Sequence, residues 1–410
     1  MKTSLWIALA LISLFGIASA YEEPRVFQAS EILPPYLLVS PNHRVQNEAS
    51  ADGYLVHFTI DSDFGVYDCV GIRELERRIQ EIRAMAILGE VRKSDLFAEG
   101  LKKSISTPLG AVKNIVTDPG GSAKQVPKSV GHFFGKLGSG IGSAVRKAGD
   151  GKSKKVETEP KVPAKGIGKA IRNLAGFDEA KMECAKQLGI DPYSDNTRLQ
   201  AEMDKVAWTF FAGGLPMKVA LSTATASVSR ALSATEFVGL PEDLYELNES
   251  ELAYRDRTSL KEIGISQELS DAILANENLL PSLRHQMIGT LTSFHGQGRA
   301  KILEEIAACE STWSAYFLDD VLTLLQKRHE VSPYQAFGVF RQLTAGLTPD
   351  GTVEVPAPVD YISWTPEVEE LATREDIALV KRRLILTGKI SVEAANQFES
   401  AGWEIVKIPQ

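Results

Sequence analysis

The sequence predicts an α+β fold dominated by helix, with strands near both ends of the chain and helices between them. Alternating apolar residues near the N-terminus, apolar residues at helical spacing in the middle, and strand-like runs in the last 60 residues all indicate this. Apolar residues make up 44% of the chain and charged residues 24%, which is typical of soluble globular proteins. This composition excludes a collagen, a coiled-coil rod, a polytopic membrane protein and a wholly disordered chain.

The first twenty residues have the pattern of a secretory signal peptide. Lys2 precedes an uncharged, largely apolar run over residues 5–17, and Ala18-Ser19-Ala20 matches a small-residue cleavage site. A retained membrane anchor would need about 20 apolar residues, which is more than this run provides. We therefore expect cleavage before Tyr21 and a periplasmic or secreted protein.

Residues 21–99 are expected to form a unit made of a β-hairpin and a helix. Alternation over residues 54–60 predicts a half-buried strand, residues 61–65 a turn, and residues 66–69 the partner strand. An apolar stripe that begins at Ile72 predicts a helix, which we expect to end at Gly89.

The composition changes sharply over residues 101–175. This stretch carries fifteen Lys and Arg against four Asp and Glu, a net charge of +11, and twelve glycines. The rest of the chain after residue 20 has 29 basic and 49 acidic residues, a net charge of −20. The sequence thus predicts a basic, amphipathic or partly disordered segment at residues 100–176, attached to an acidic body.

Within that segment, apolar residues at helical spacing are interleaved with cations over residues 128–147, as in helices that bind anionic membrane surfaces. The pattern of residues 140–146 recurs at residues 166–172. The predicted membrane-binding or anion-binding residues are Lys128, Phe133, Phe134, Lys136, Leu137, Ile141, Arg146, Lys147, Lys169 and Arg172. A solvated connector remains an alternative, and nucleic acid is disfavoured because export removes most such partners.

Residues 177–346 are expected to form a helical domain. Asp178 can cap a helix that stops at Gly189, and two uncharged runs around Gly213-Gly214 predict a buried helical hairpin. Residues 240–345 suggest several more helices, one of them beginning at Ser332-Pro333. Residues 347–410 predict a small α/β unit of β-α-β type, which closes with a strand after Gly402.

No catalytic, cofactor or metal motif stands out. The six histidines have no histidine partner at i+3 or i+4, and Gly151-Lys152-Ser153 lacks the first glycine of a P-loop. Three cysteines allow at most one disulfide, and we expect Cys184 and Cys309 on buried helix faces rather than bridged.

These observations favour an exported, non-catalytic cell-envelope protein that contacts an anionic membrane surface or another envelope polyanion through its basic segment. A periplasmic or secreted hydrolase, with a site assembled from distant residues, is the alternative. The sequence predicts no cofactor and leaves the oligomeric state open.

Overall fold

The computed structural model describes residues 21–106, 164–229, 240–294, 298–340, 343–375 and 378–408. It is an α+β fold with an N-terminal sheet, central helices and C-terminal strands, as the sequence predicts. No helix in the described part of the chain is long and apolar enough to span a bilayer.

The N-terminal sheet has six antiparallel strands built around the predicted hairpin. Its strands are β1 (Val26–Gln28), β2 (Val39–Ser40), β3 (His43–Val45), β4 (Glu48–Ala51), β5 (Val56–Ser62) and β6 (Gly65–Val70). Strand β5 pairs with β6 over its whole length and with β3 and β4 along its other edge. Two single-turn helices, α1 (Ala29–Ile32) and α2 (Pro35–Leu38), lie between β1 and β2.

Five helices join this sheet in one hydrophobic core, which we call the N-terminal core. They are α3 (Ile72–Arg92), α4 (Asp95–Ser106), α5 (Ala164–Leu188), α6 (Thr197–Gly213) and α7 (Met217–Ser229). The two helices predicted around Gly213-Gly214 are α6 and α7, separated by Gly214 in the left-handed conformation (φ 63°), but α7 packs mainly on α3 and α5 rather than on α6.

The second core, the C-terminal core, contains residues of seven described helices and a five-stranded sheet. After a 3₁₀ helix (Glu242–Tyr245) come α8 (Glu249–Glu262), α9 (Gln267–Leu274), α10 (Pro281–Ser293), α11 (Arg299–Ala307) and α12 (Thr312–Val331). The strands of the sheet are β7 (Ala336–Phe340), β8 (Leu343–Leu347), β9 (Val353–Ala357), β11 (Arg382–Leu386) and β13 (Trp403–Lys407). Their order in the sheet is β13-β11-β9-β8-β7.

The predicted β-α-β unit is confirmed. Strands β11 and β13 are parallel neighbours connected by α14 (Val392–Ser400), and β9 pairs in parallel on the other side of β11. Helix α13 (Pro366–Ala372) lies between β9 and β11 in the chain. The short strands β10 (Tyr361–Ile362) and β12 (Lys389–Ile390) form a separate parallel pair.

Three helix predictions were wrong. Helix α3 continues past Gly89 to Arg92 because Val91 extends its buried stripe. Helix α5 begins at Ala164, so Asp178 lies inside it rather than at its N-terminus. Ser332 ends α12 rather than starting a helix, and the strands β7 and β8 follow where we expected helix. Their apolar residues pack against helices, which a local pattern does not distinguish from a buried helix.

Candidate functional site

The basic segment lies largely outside the described residues. Lys128, Phe133, Phe134, Lys136, Leu137, Ile141, Arg146 and Lys147 all fall there. The other two predicted residues, Lys169 and Arg172, belong to the first half of α5, where the backbone is helical. The second copy of the repeated pattern, residues 166–172, therefore lies near the start of α5. The second half of this helix packs in the N-terminal core, where Cys184 and Ala185 are buried.

The two helices that flank residues 107–163 in the chain pack against the same helix. Both α4 and α5 contact α6 extensively. Gly100 of α4 contacts Gly213 of α6. A Cβ atom added to Gly213 would lie 2.8 Å from the Cα atom of Gly100. Gly176 of α5 meets α6 at Phe211, whose ring would lie 2.6 Å from an added Cβ. Glycine is required at Gly213 because a side chain there would overlap the backbone of α4, whereas at Gly176 the Phe211 ring would have to move.

Both flanks of the basic segment thus converge on the C-terminal end of α6. Gly100 is six residues from the end of α4, and Gly176 is twelve residues from the start of α5. At 1.5 Å per residue, the two helix termini lie within about 9 and 18 Å of these contacts along their helices. We call this region, residues 100–106, 164–177 and 208–214, the exit end.

A half-buried aromatic cluster occupies the exit end. The ring centroids of Phe177 and Trp208 are 5.7 Å apart, and those of Trp208 and Phe211 are 5.9 Å apart. Each of the three side chains keeps part of its surface in solvent. On the α4 side, Leu101, Lys102 and Lys103 are exposed. Partly exposed tryptophan and phenylalanine rings are typical of surfaces that contact the membrane–water interface.

The sequence analysis missed this aromatic cluster. The helical stripe of α6 placed Phe211 with Phe210 on one apolar face, and only Phe210 is fully buried. The signal available in the sequence was the tryptophan at position 208, on the edge of that stripe. Its neighbour Phe177 is 31 positions earlier in the chain, so only the packing of α5 on α6 brings the two rings together.

The opposite end of α6 carries a buried charged network that we call the Arg78 network: Arg78, Glu81, Ser194, Asp195 and Asn196. Arg78 donates to Asp195 at 2.8 and 3.0 Å and to Glu81 at 2.9 Å. Glu81 also accepts from Ser194 and Asn196. Burial opposes ionisation of Asp195, but the charge and hydrogen bonds of Arg78 outweigh it and hold its pKa below the usual value.

A further set of polar contacts connects the two cores; we call it the seam. Asp360 accepts backbone hydrogen bonds from Val56 and Ile72, at 3.0 and 3.2 Å, and so caps the start of α3. Arg73 of α3 pairs with Asp320 of α12 at 3.2 Å. Asp191 contacts Ser282 of α10, and burial raises the pKa of Asp191 to about 6. These carboxylates hold elements together.

The one cavity described carries no catalytic group in its wall. A cavity of about 10 Å³ beneath the C-terminal sheet, roughly the space of one water, is lined by Tyr54 and apolar side chains, with neither histidine nor carboxylate in its wall. No group of three His, Cys, Asp or Glu residues in the described ranges is arranged to hold a metal ion.

The three cysteines are free thiols buried in the structure. Cys184 lies on the buried face of α5, as expected. Cys309 is buried but follows the end of α11, so its predicted place on a helix face was wrong. Burial raises the pKa of both thiols to about 12, which keeps them protonated and unreactive at neutral pH.

No protein-family model matches the chain, and no curated protein or solved structure matches it either.

Proposed function

We propose that this protein is exported, has no catalytic activity, and contacts an anionic membrane surface in the cell envelope through residues 128–175. The observation that carries the proposal is the convergence of α4 and α5 on the C-terminal end of α6. This arrangement brings the helices that flank residues 107–163 to one end of the N-terminal core, where Phe177, Trp208 and Phe211 are partly exposed.

Charge supports an anionic partner for this segment. Residues 101–175 carry fifteen cations and four acids, a net charge of +11. Cations near an anionic bilayer contribute about 1 kcal/mol each. The apolar stripe that includes Phe133, Phe134 and Leu137 adds the burial that holds an amphipathic helix in the interface.

Vesicle co-sedimentation tests the proposal. The chain from residue 21 to 410 is compared with a version in which a short Gly-Ser linker replaces residues 107–163, which leaves α4 and α5 in place. We expect the chain 21–410 to sediment with vesicles of equal parts phosphatidylglycerol and phosphatidylcholine but not with vesicles of pure phosphatidylcholine. The version without residues 107–163 should bind neither kind of vesicle. Absence of binding, or binding that survives the deletion undiminished, would leave the solvated connector as the better interpretation.

The export part of the proposal has its own measurement. N-terminal sequencing of protein from the envelope fraction should give Tyr21 as the first residue. A chain that retains Met1 would contradict it.

A further inference from the structure

His285 of α10 lies between two carboxylates from two other elements. Its Nδ1 atom is 2.5 Å from an Asp256 oxygen on α8, and its Nε2 atom is 3.2 Å from an Asp243 oxygen on the 3₁₀ helix. The imidazole therefore connects three elements through two hydrogen bonds. The sequence could not indicate this, because the partners are 29 and 42 positions away.

Each carboxylate also has an arginine partner. Arg284 Nε is 2.7 Å from Asp256, and Arg255 Nη1 is 3.0 Å from Asp243. The two pairs differ in their contact with solvent: Asp256 is fully buried, whereas the Asp243 side chain is 36% exposed. Asp256 is thus held from two sides inside the protein, while Asp243 is held at the surface by Arg255 and His285.

The 3₁₀ helix that carries Asp243 belongs to the contact between the cores. Tyr245 packs against the N-terminal core, and the 3₁₀ helix contacts α5. The hydroxyl of Tyr193, in the turn between α5 and α6, donates to the Leu247 carbonyl just beyond it. Helices α8 and α10, which hold the other side of His285, pack together next to the C-terminal core.

The protonation state of His285 decides how many of its two bonds form. A neutral imidazole has one N–H donor and one lone pair, whereas the imidazolium has two donors. In the neutral form, one ring nitrogen would direct its lone pair at a carboxylate oxygen. The bonds to Asp256 and Asp243 raise the pKa of His285 above its usual value, against the effect of burial.

We propose that His285 is a proton-operated clamp, which fastens the 3₁₀ helix to α8 and α10 when protonated and releases it when the proton leaves. On deprotonation, the remaining N–H of His285 still donates to the fully buried Asp256. Removing a hydrogen-bond donor from a buried carboxylate costs more free energy than removing one from the partly exposed Asp243. The lone pair then faces Asp243, which only Arg255 still holds. The contact between the two cores is therefore tighter in acid than in alkali.

The sign of the effect follows from the raised pKa. The unfolded-state pKa of histidine is about 6.5, so the clamp's full contribution is present below that pH. It is lost as the pH rises through the higher value that His285 has in the folded protein. Each pKa unit between the two values corresponds to about a tenfold change in the closed-to-open ratio.

Amide hydrogen exchange of the full chain, corrected for the intrinsic effect of pH, tests the clamp. We expect protection of residues 242–247 to be higher at pH 6 than at pH 9, by about tenfold for each unit by which the folded-state pKa of His285 exceeds the unfolded one. His285→Gln should show the low protection at both pH values. His57→Gln is the matched control, because His57 bonds a single carboxylate, Asp52, at 2.9 Å and should leave residues 242–247 unchanged.

Two results would overturn the clamp: protection of residues 242–247 that does not change with pH in the unmodified chain, or a pH dependence that persists in His285→Gln. Ring titration by NMR of the unmodified chain covers the case in which the variant does not fold. A His285 titration at or below pH 6.5 would likewise contradict the proposal.

Discussion

The two ends of α6 use different chemistry. At its N-terminal end, Asn196 caps the helix and joins the Arg78 network, in which each charged or polar group has a partner inside the molecule. At its C-terminal end, glycine contacts bring α4 and α5 close, and the aromatic rings remain partly in solvent. Groups whose partners lie within the chain hold the fold together. Aromatic rings that are partly exposed can contact a molecule outside it.

The largest expected effect is the loss of stability when the Arg78 network is disrupted. Arg78→Met removes the guanidinium that neutralises Glu81, whose side chain is 2% exposed, and Asp195. Breaking a buried ion pair on one side costs about 3–5 kcal/mol, so the free energy of unfolding should fall by that amount in urea titration. Arg257→Met is the control, because Arg257 and Asp271 are both about half exposed and should contribute below about 1 kcal/mol. Equal losses in the two variants would show that the network does not stabilise the fold.

Charge at the other end should govern binding rather than stability. Changing Lys128, Lys136, Arg146 and Lys147 to Gln removes about 4 kcal/mol of attraction, which should weaken binding to anionic vesicles by about 100-fold or more at low salt. Binding of the unmodified chain should fall as salt rises, because the Debye length shrinks to about 10 Å at 0.1 M.

A control with the same loss of charge separates location from net charge. Arg44, Lys261, Lys381 and Lys407 are exposed cations elsewhere in the fold. Replacing all four with Gln should change vesicle binding much less. A similar loss from both quadruple variants would mean that overall charge, not the basic segment, governs binding.

Apolar contact should contribute less to vesicle binding than charge does, and salt should not screen it. Phe133→Ser with Phe134→Ser should weaken vesicle binding at every salt concentration, by roughly 10-fold to 100-fold, because burial of apolar area is independent of ionic strength. The control is Tyr254→Ser with Val331→Ser, since both side chains are more than 70% exposed on α8 and α12. If the phenylalanine pair has no more effect than this control, binding is purely electrostatic.

The sequence by itself determined the features that depend on local periodicity and composition. Alternation over residues 54–60 located the β5–β6 hairpin, the uncharged runs around Gly213-Gly214 located α6 and α7, and the pattern of residues 347–410 located the β-α-β unit that contains α14. These succeed because each element is amphipathic about its own axis, so its neighbours in sequence report its burial. The charge asymmetry of residues 101–175 is likewise a fact of composition.

Only the tertiary structure decided which distant groups meet. The capping of α3 by Asp360, the bonds of His285 to Asp243 and Asp256, and the convergence on α6 join residues separated by tens to hundreds of positions. A buried polar side chain forms hydrogen bonds with groups that the packing brings within about 3 Å. The local sequence pattern does not indicate which distant residue that will be. The same reason explains the strands β7 and β8, which pair with each other and join the C-terminal sheet through the pairing of β8 with β9.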